Sequence, residues 1–324
     1  MVNMRIFVLT TVVIFISFSY SQISYAGCTK NGDTIICTNS VPNPDLVGIQ
    51  EAGNNNNLTI EMQSGSIINT TAASTEAIDV GNGNNSLIMN NAQVISIDND
   101  NAMSFGSGNN LFHISDSQIR CEEDCIDMGN GPGELTLTGS LIQSIDNNGI
   151  DAEDGPDKLT VIDSQILAGE ACCNNFGVTL GNGDDELSVV NSRIAGFTMN
   201  QPIPFAITMG DGINTVRLGN LAQIEGLIRC NESTDTDTIV FEMAVPSDEV
   251  DAVNAEIATK NPAGDSIVIN GLLYQWIDCD ELVPQVVGGF STSVPTLSQW
   301  GLIAMAGILG IVGLMVIRRR KATV

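Results

Sequence analysis

The sequence is poor in cations, histidine and aromatic side chains. It has 12 Lys and Arg against 38 Asp and Glu, a single His, and 5% aromatic residues. So few cations exclude a surface for nucleic acid or anionic lipid, because both ligands need a basic face. The scarcity of aromatics fits a narrow interior filled by Leu, Ile and Val.

Long apolar runs are confined to the two ends of the chain. The first 26 residues combine Arg5, an apolar core over Ile6–Phe18 and small residues before Gly27. This pattern predicts a secretory signal peptide over residues 1–26, cut before Gly27. The alternatives are a permanent N-terminal anchor and a lipoprotein acylated at Cys28. The chain is therefore expected to be exported.

The C-terminal run, Leu302–Ile317, is apolar throughout and precedes the basic segment Arg318–Lys321. It predicts a transmembrane helix over 302–317, short for a bilayer span, with its basic end in the cytoplasm. A simple tail anchor needs only these two parts. The motif that comes before them is not needed for an anchor, and it indicates whether the tail is a simple anchor or a processed signal.

That motif reads VPTLSQWG, residues 294–301. With the helix and the basic end, residues 294–324 resemble the IPTL-CTERM sorting signal of Gram-negative bacteria, with Val294 in place of the usual Ile. The resemblance implies recognition by an exosortase-type membrane transpeptidase, which cuts near the motif after an inner-membrane intermediate and passes the protein to the cell surface or beyond. An uncleaved anchor is the alternative. The recognition residues carried over from the family are Pro295, Thr296, Leu297, Trp300 and Gly301.

The part between the two ends is strongly acidic. Residues 27–300 hold seven of the cations and all 38 acidic residues, a net charge of −31. Divalent cations, basic partners or simple solubility are compatible with this balance.

All eight cysteines lie in this exported part, which favours disulfides. Cys28 with Cys37, and Cys230 with Cys279, are the candidate pairs. The remaining four could instead form a zinc site: these are Cys121, Cys125, Cys172 and Cys173.

The middle of the chain is repetitive, and its segments align on glycine-rich turns. The turns begin at Gly53, Gly81, Gly106, Gly129, Glu153, Gly181 and Gly210, with spacings of 23 to 29 residues and a mean of about 26. Each unit has an alternating apolar-polar-apolar triplet, a Gly/Asn/Asp turn, a second triplet and a further apolar residue. Period-two alternation indicates short strands. Because one unit cannot bury its own apolar face, the units must stack. The sequence predicts an all-β fold, a right-handed parallel β-helix.

The ends of this solenoid need protection. Residues 27–45 are interpreted as an N-terminal cap, 46–229 as the repeats, 230–290 as an α/β C-terminal cap and 291–293 as a linker. Within the C-terminal cap, Ser247 is predicted to cap a helix. Asn270-Gly271 is predicted to turn a hairpin.

Stacking aligns the middle residues of the first triplets into an outward ladder. Its members are Asp79, Ser104, Asp127, Asp151, Thr179 and Thr208. Asp127 and Asp151, one coil apart, have the spacing of a retaining glycosidase pair. However, His113 lacks flanking glycines and there is no Arg-x-Lys, so the polygalacturonase-like motifs are missing. No catalytic residue is assigned.

The turns GNGDDEL and GDGINTV are similar to the calcium-binding turns of RTX proteins. Asp184, Asp185 and Asp211 would be the calcium ligands. The preferred interpretation is that Asn, Asp and Gly are what tight turns require, with no cofactor and no metal.

We therefore expect an exported structural or adhesive surface protein that binds matrix or surface polysaccharide. A polysaccharide-active enzyme and a calcium-dependent matrix protein are the alternatives.

Overall fold

The structure, a computed structural model, describes residues 24–25, 27–38, 48–53, 57–70, 76–97, 100–169, 174–198, 203–231 and 235–290. Most of the predicted signal peptide, and the whole predicted sorting tail with its helix, lie outside these residues. In these residues the chain winds into a β-solenoid of about seven turns with one short helix. The predicted β-helix is confirmed.

Three sheets, here named A, B and C, run the length of the solenoid. Sheet A contains, in spatial order, Ser24–Tyr25, Cys28–Asn31, Thr34–Cys37, Thr59–Met62, Ser86–Asn90, Asn110–Ser115, Gly133–Thr138, Lys158–Ile162, Glu186–Val190, Thr215–Leu218, Thr238–Phe241 and Glu281–Pro284. Sheet B contains Ile67–Thr70, Gln93–Ser96, Gln118–Cys121, Leu141–Ser144, Gln165–Leu167, Arg193–Ala195 and Gln223–Glu225.

Sheet C contains the first triplets. Its strands are Ile49–Glu51, Ile78–Val80, Met103–Phe105, Ile126–Asp127, Ile150–Asp151, Val178–Thr179, Phe205–Thr208, Leu227–Arg229, Leu272–Ile277 and Gly264–Ile269. Two small pairs lie beside the main sheets, Asn174–Asn175 with Phe197–Thr198 and Ala244–Pro246 with Val287–Phe290. Along each coil the chain passes from sheet C through the glycine turn to sheet A, and then around a corner to sheet B.

The pairing between coils is parallel and keeps equivalent residues opposite each other. In sheet C, Asp79 pairs with Ser104, and Asp127 pairs with Asp151. The predicted ladder from Asp79 to Thr208 is therefore in register throughout. This register follows from the period-two pattern, because a slip of one residue would turn every apolar side chain outward.

The core consists of columns of mainly aliphatic side chains that the three sheets contribute. The sheet A column contains Leu87, Phe112, Leu135, Leu159, Leu187 and Val216, all fully buried. The sheet B column contains Val94, Ile119, Ile142, Ile166 and Ile194, also fully buried. Burying each such side chain stabilises the fold by about 1.5–3 kcal/mol.

The glycine turns stack as closely as the strands do. Gly183 and Gly212 have φ angles of +155° and +117°, which L side chains rarely adopt. A Cβ added to either residue would lie 2.0 Å from the glycine carbonyl oxygen of the preceding coil. The turn therefore requires glycine for two reasons, its backbone conformation and the distance between coils.

A buried column of Asn and Asp side chains, here named the Asx column, lies where each turn enters sheet A. Its buried members, in coil order, are Asn85, Asn110, Asp157, Asp185, Asn214 and Asp237, and it ends at the exposed Asp280. Leu58 and Gly133 occupy the equivalent positions of two other coils. At most steps, the side-chain oxygen of one coil accepts the backbone N–H of the preceding coil. The column thus satisfies backbone donors that the turn would otherwise leave buried and unpaired.

A second buried column lies at the corner between sheets A and B, and it consists of serines. The backbone N–H of Ser117 donates to Ser140 Oγ at 3.0 Å, and Ser140 donates likewise to Ser164 Oγ at 3.0 Å. Ser164 repeats the contact with Ser192. Hydroxyl groups thus do at this corner what Asn and Asp do at the glycine turn.

The two ends of the solenoid are closed differently. At the start, Cys28–Asn31 and Thr34–Cys37 form an antiparallel hairpin, and the second strand pairs in parallel with Thr59–Met62. At the far end, Thr238–Phe241 and Glu281–Pro284 still extend sheet A in parallel, so stacking continues to residue 284.

The chain between these last strands contains the helix Val250–Thr259 and the hairpin Gly264–Ile269 with Leu272–Ile277. Asn270 and Gly271 have positive φ angles of 53° and 79°, as a type I′ turn requires. The prediction that Ser247 caps the helix is wrong. The N-cap is Glu249, without a side-chain cap bond, because a turn in which its N–H donates to Pro246 O already leads into the helix.

Candidate functional site

The outer surface of sheet C, with its adjoining turns, carries a group of carboxylates whose charges repel one another. We name it the acidic face. Its members are Glu76, Asp79, Asp100, Asp124, Asp127, Asp151 and Glu153. It contains both carboxylates that the sequence singled out as a pair.

Asp127 and Asp151 are opposite each other on neighbouring parallel strands, about 4.8 Å apart along the sheet. Asp127 accepts the Gly129 N–H at 2.9 Å and the Ser104 hydroxyl at 3.1 Å. Within the described residues, the side chain of Asp151 accepts one hydrogen bond, from the Glu153 N–H at 3.2 Å. Asp127 is thus the better stabilised carboxylate of the two.

Asp124 lies behind this pair, in the turn that leads into the strand. Its Oδ1 accepts the backbone N–H of Asn148 at 3.0 Å, and its Oδ2 accepts the Asn147 side-chain amide at 3.2 Å. These bonds link the turn to the equivalent turn of the next coil, so Asp124 has a structural role.

Several carboxyl groups of the acidic face have pKa values above the ordinary carboxyl range. Burial, followed by repulsion from Asp124 and Glu153, raises the pKa of Asp151 to about 7. Burial also raises the pKa of Asp124 to about 6, against the lowering effect of its bond from Asn148. The pKa values of Asp79 and Asp127 are raised by the same cause. Asp151 therefore titrates near neutral pH.

Asp127 and Asp151, adjacent but in unequal environments, form the kind of carboxyl pair from which an acid and a nucleophile are built. On the strand after Thr208 the next position in register is a cation, Arg229, which is three strands from Asp151. In the described part of the chain, no group of three or more His, Cys, Asp or Glu side chains is arranged to hold a metal ion. His113 is an exposed residue on the outer side of sheet A, away from this face.

Two surface depressions lie elsewhere, around the outer side of sheet B. One is lined in part by Asp163, Gln165, Arg193, Leu221 and Gln223. The other lies over Gln143, Arg193 and Glu225. Arg193 and Glu225 form a two-pronged ion pair between neighbouring coils. Neither depression includes Asp127 or Asp151.

The outer side of sheet B presents a column of glutamines, here named the Gln column. It consists of Gln93, Gln118, Gln165 and Gln223, in register with Leu141 and Arg193. All four glutamines are partly or fully exposed.

The turn carboxylates that resemble calcium ligands are engaged with the protein itself. Asp184 accepts the N–H of Ile213 in the next coil at 2.9 Å, and Asp211 accepts the side-chain amide of Asn231. Asp185 is buried in the Asx column, where it accepts the N–H of Asp157 at 2.7 Å. The three residues are therefore not directed towards one point.

The cysteines in the described residues are paired. Disulfides join Cys28 to Cys37 and Cys230 to Cys279, the two candidate pairs, and also Cys121 to Cys125. The last bond removes two thiols from the alternative zinc site. Cys172 and Cys173 lie outside the described residues.

The Asx column was not recognised in the sequence, although the signal was present. The residue two positions before the first apolar residue of the second triplet is Asn or Asp in most units, as in Asn85, Asn110, Asp157 and Asn214. Its regular position between a turn and an apolar strand start was interpreted as turn chemistry alone.

The predicted sorting tail matches a known family motif. Residues 292–321 match the IPTL-CTERM motif, which includes every recognition residue from Pro295 to Gly301. The chain carries an IPTL-CTERM sorting signal. Such a signal indicates an exported surface protein that is processed at its tail by a sorting machinery. No helix in the described residues has the length and apolar character to span a bilayer. Neither the curated proteins nor the solved structures gave a match to this chain.

Proposed function

We propose that the solenoid is a structural and adhesive module, displayed at the cell surface after an exosortase-type transpeptidase processes its tail at the inner membrane. The observation that supports adhesion is the Gln column. Gln93 and Gln118 lie on adjacent strands, about 4.8 Å apart, and Gln165 and Gln223 follow at intervals of two strands, about 9.6 Å, with Leu141 and Arg193 between them. Each glutamine side chain has amide donors and an acceptor oxygen. A chain of sugar hydroxyls fits such a series of hydrogen-bonding groups.

The net charge narrows the ligand class. A solenoid with a charge of −31 over residues 27–300 repels anionic polymers at ordinary ionic strength. The proposed ligand is therefore a neutral, hydroxyl-rich surface or matrix polysaccharide.

The binding experiment uses the full chain and a panel of insoluble neutral glucans. The test variant is Gln118→Ala with Gln165→Ala, and the matched control is Thr136→Ala with Thr160→Ala on the outer side of sheet A. Co-sedimentation that falls in the first variant and stays in the second supports the proposal. Equal binding by both variants, or no binding by the wild type to any glucan, contradicts it.

The sorting step has its own test. The mass of the protein from surface and medium fractions of its native cells should correspond to a chain that begins at Gly27 and ends near VPTLSQWG. A mature species that retains Arg318–Lys321 would contradict the processing.

We further propose that the protein is not an enzyme and needs no cofactor. The second candidate function, a polysaccharide-active enzyme, is favoured by the adjacent Asp127 and Asp151 with their unequal environments. Release of reducing ends from the same glucans, lost in Asp151→Asn, would establish it. A calcium-dependent matrix role would appear as a rise in melting temperature on addition of calcium.

A further inference from the structure

The Asx column contains two kinds of side chain with different hydrogen-bonding capacity. An asparagine has an acceptor oxygen and an amide that donates, whereas an ionised aspartate has acceptors alone. The column places both kinds in equivalent positions, so the asparagines show what the fold requires there.

The asparagines use both ends of their side chains. Asn85 Nδ2 donates to the carbonyl oxygens of Gly81 and Gly83, at 3.0 and 3.1 Å. Asn214 Nδ2 donates to Gly210 O and Gly212 O, at 3.1 and 3.3 Å. The carbonyl four residues earlier in the chain is therefore a regular acceptor in this turn.

Asp157 and Asp185 use one oxygen only. Their Oδ1 atoms accept the N–H groups of Gly133 and Asp157, at 2.6 and 2.7 Å. Their Oδ2 atoms occupy the place of the asparagine amide, are buried, and have no hydrogen-bond partner. Each side chain is only 2% exposed. An unpaired, ionised oxygen in such a place would strongly destabilise the fold.

The charges around these two residues make ionisation still less favourable. The charge of Asp185 repels that of Asp157, and the charges of Asp184 and Asp237 repel that of Asp185. All of these neighbouring groups are carboxylates. Lys158, next to Asp157 in the chain, is exposed on the outer side of sheet A. Burial, followed by this repulsion, raises the pKa of Asp157 to about 8; burial and repulsion also raise that of Asp185 to about 7.

We propose that Asp157 and Asp185 are neutral carboxylic acids in the folded solenoid and act as asparagine equivalents. Each donates its Oδ2 proton to the turn carbonyl four residues earlier, from Glu153 or Gly181. The middle of the solenoid is thus held by protons and loosens when the medium becomes alkaline.

The sign of the pH effect follows from linkage. A carboxyl group whose pKa is higher in the folded than in the unfolded chain contributes stability in full below its unfolded pKa, near 4. That stability is lost as the pH rises through the folded value. For Asp157, the loss approaches tenfold in the opening equilibrium per pH unit, or about 100-fold between pH 5 and pH 7.

Hydrogen exchange of the wild-type full chain in detergent tests this directly. The Gly133 amide is bonded to Asp157 Oδ1, whereas the Ser140 amide of the same coil is bonded to Ser164 Oγ, which does not titrate in this range. The ratio of the Gly133 to the Ser140 protection factor should fall as the pH rises from 5 to 9. A ratio that does not change with pH would overturn the proposal, and this measurement needs no variant.

A set of variants supplies the second test. Asp157→Asn should abolish the pH dependence at the Gly133 amide and increase its protection at pH 9. Asp185→Asn should do the same for the Asp157 amide, which is bonded to Asp185 Oδ1. Asp184→Asn removes the same charge from the exposed neighbouring position and should leave the pH dependence in place. Wild-type pH dependence in the two buried variants, or its loss in the Asp184 variant, would contradict the proposal.

Discussion

The disulfide Cys230–Cys279 provides the most direct test of how the C-terminal part is held. It joins residues 49 positions apart, and the loop between them contains the strand Thr238–Phe241, the helix Val250–Thr259 and the final hairpin. The disulfide Cys121–Cys125 spans only four positions. All four cysteines are at least 95% buried, so replacement by Ala removes a similar apolar contact in each pair.

The difference between the two pairs is therefore mainly the entropy of loop closure. The chain-entropy relation gives about 4 kcal/mol for a separation of 49 and about 2 kcal/mol for a separation of four. We expect Cys230→Ala with Cys279→Ala to lower the free energy of unfolding by about 2 kcal/mol more than Cys121→Ala with Cys125→Ala.

Urea unfolding, followed by tryptophan fluorescence, is the assay. Trp276 is 1% exposed and lies in the strand that leads to Cys279, so it reports on this part of the molecule. Equal losses for the two double variants would refute the loop-closure reasoning. A larger loss for the short-range pair would refute it as well.

Three further predictions concern stacking, the core and surface charge. Gly212→Ala should destabilise by about 2–5 kcal/mol, from backbone strain and contact with Gly183 O, whereas Gly32→Ala, with open space around it, should cost about 1 kcal/mol. Leu159→Ala should cost about 2–5 kcal/mol in urea unfolding, and the outward Thr160→Ala less than about 0.5 kcal/mol. Arg217→Gln breaks ion pairs with Glu186 and Glu242 and should lower the free energy of unfolding by at most about 1 kcal/mol. This loss should disappear at high salt, which screens the charges.

Each of these has a contrary outcome. Similar losses for Gly212→Ala and Gly32→Ala would mean that the distance between coils does not require glycine. A tolerated Leu159→Ala would mean that the aliphatic column relaxes around the cavity. A loss in Arg217→Gln that persists at high salt would mean that the side chain contributes by packing.

The sequence predicted the solenoid because each coil repeats a short pattern whose meaning does not depend on distant residues. The turns that begin at Gly81, Gly106, Gly129 and Glu153, with the triplets before them, are sufficient to place Asp79 opposite Ser104 and Asp127 opposite Asp151. Period-two alternation determines which residues face inward, and stacking determines which residues are neighbours.

The candidate sites were harder to predict because their properties depend on burial. Asp157 and Asp184 look alike in the sequence, yet one is enclosed in the Asx column and the other is exposed. The Cys121–Cys125 bond could not be selected among 105 pairings. The return of Glu281–Pro284 to sheet A was not predicted, because the chain between it and the preceding strand of that sheet has no glycine turn to mark another coil.

The position of Cys230–Cys279 also determines how tension would pass through the molecule. The sorting signal follows the last described strand, Val287–Phe290, closely in the sequence. A pull on the tail first breaks the pairing of this strand with Ala244–Pro246 and of Glu281–Pro284 with Thr238–Phe241, and then reaches Cys279. From Cys279 the force crosses the sulfur bridge to Cys230 and bypasses residues 231–278. The disulfide is thus the covalent path of the force, so the helix and the hairpin within that loop are not stretched. The chain length folded within the loop is not released by a pull. Tension continues instead into the strand Leu227–Arg229 of sheet C, whose parallel hydrogen bonds to Phe205–Thr208 run along the solenoid axis and resist it.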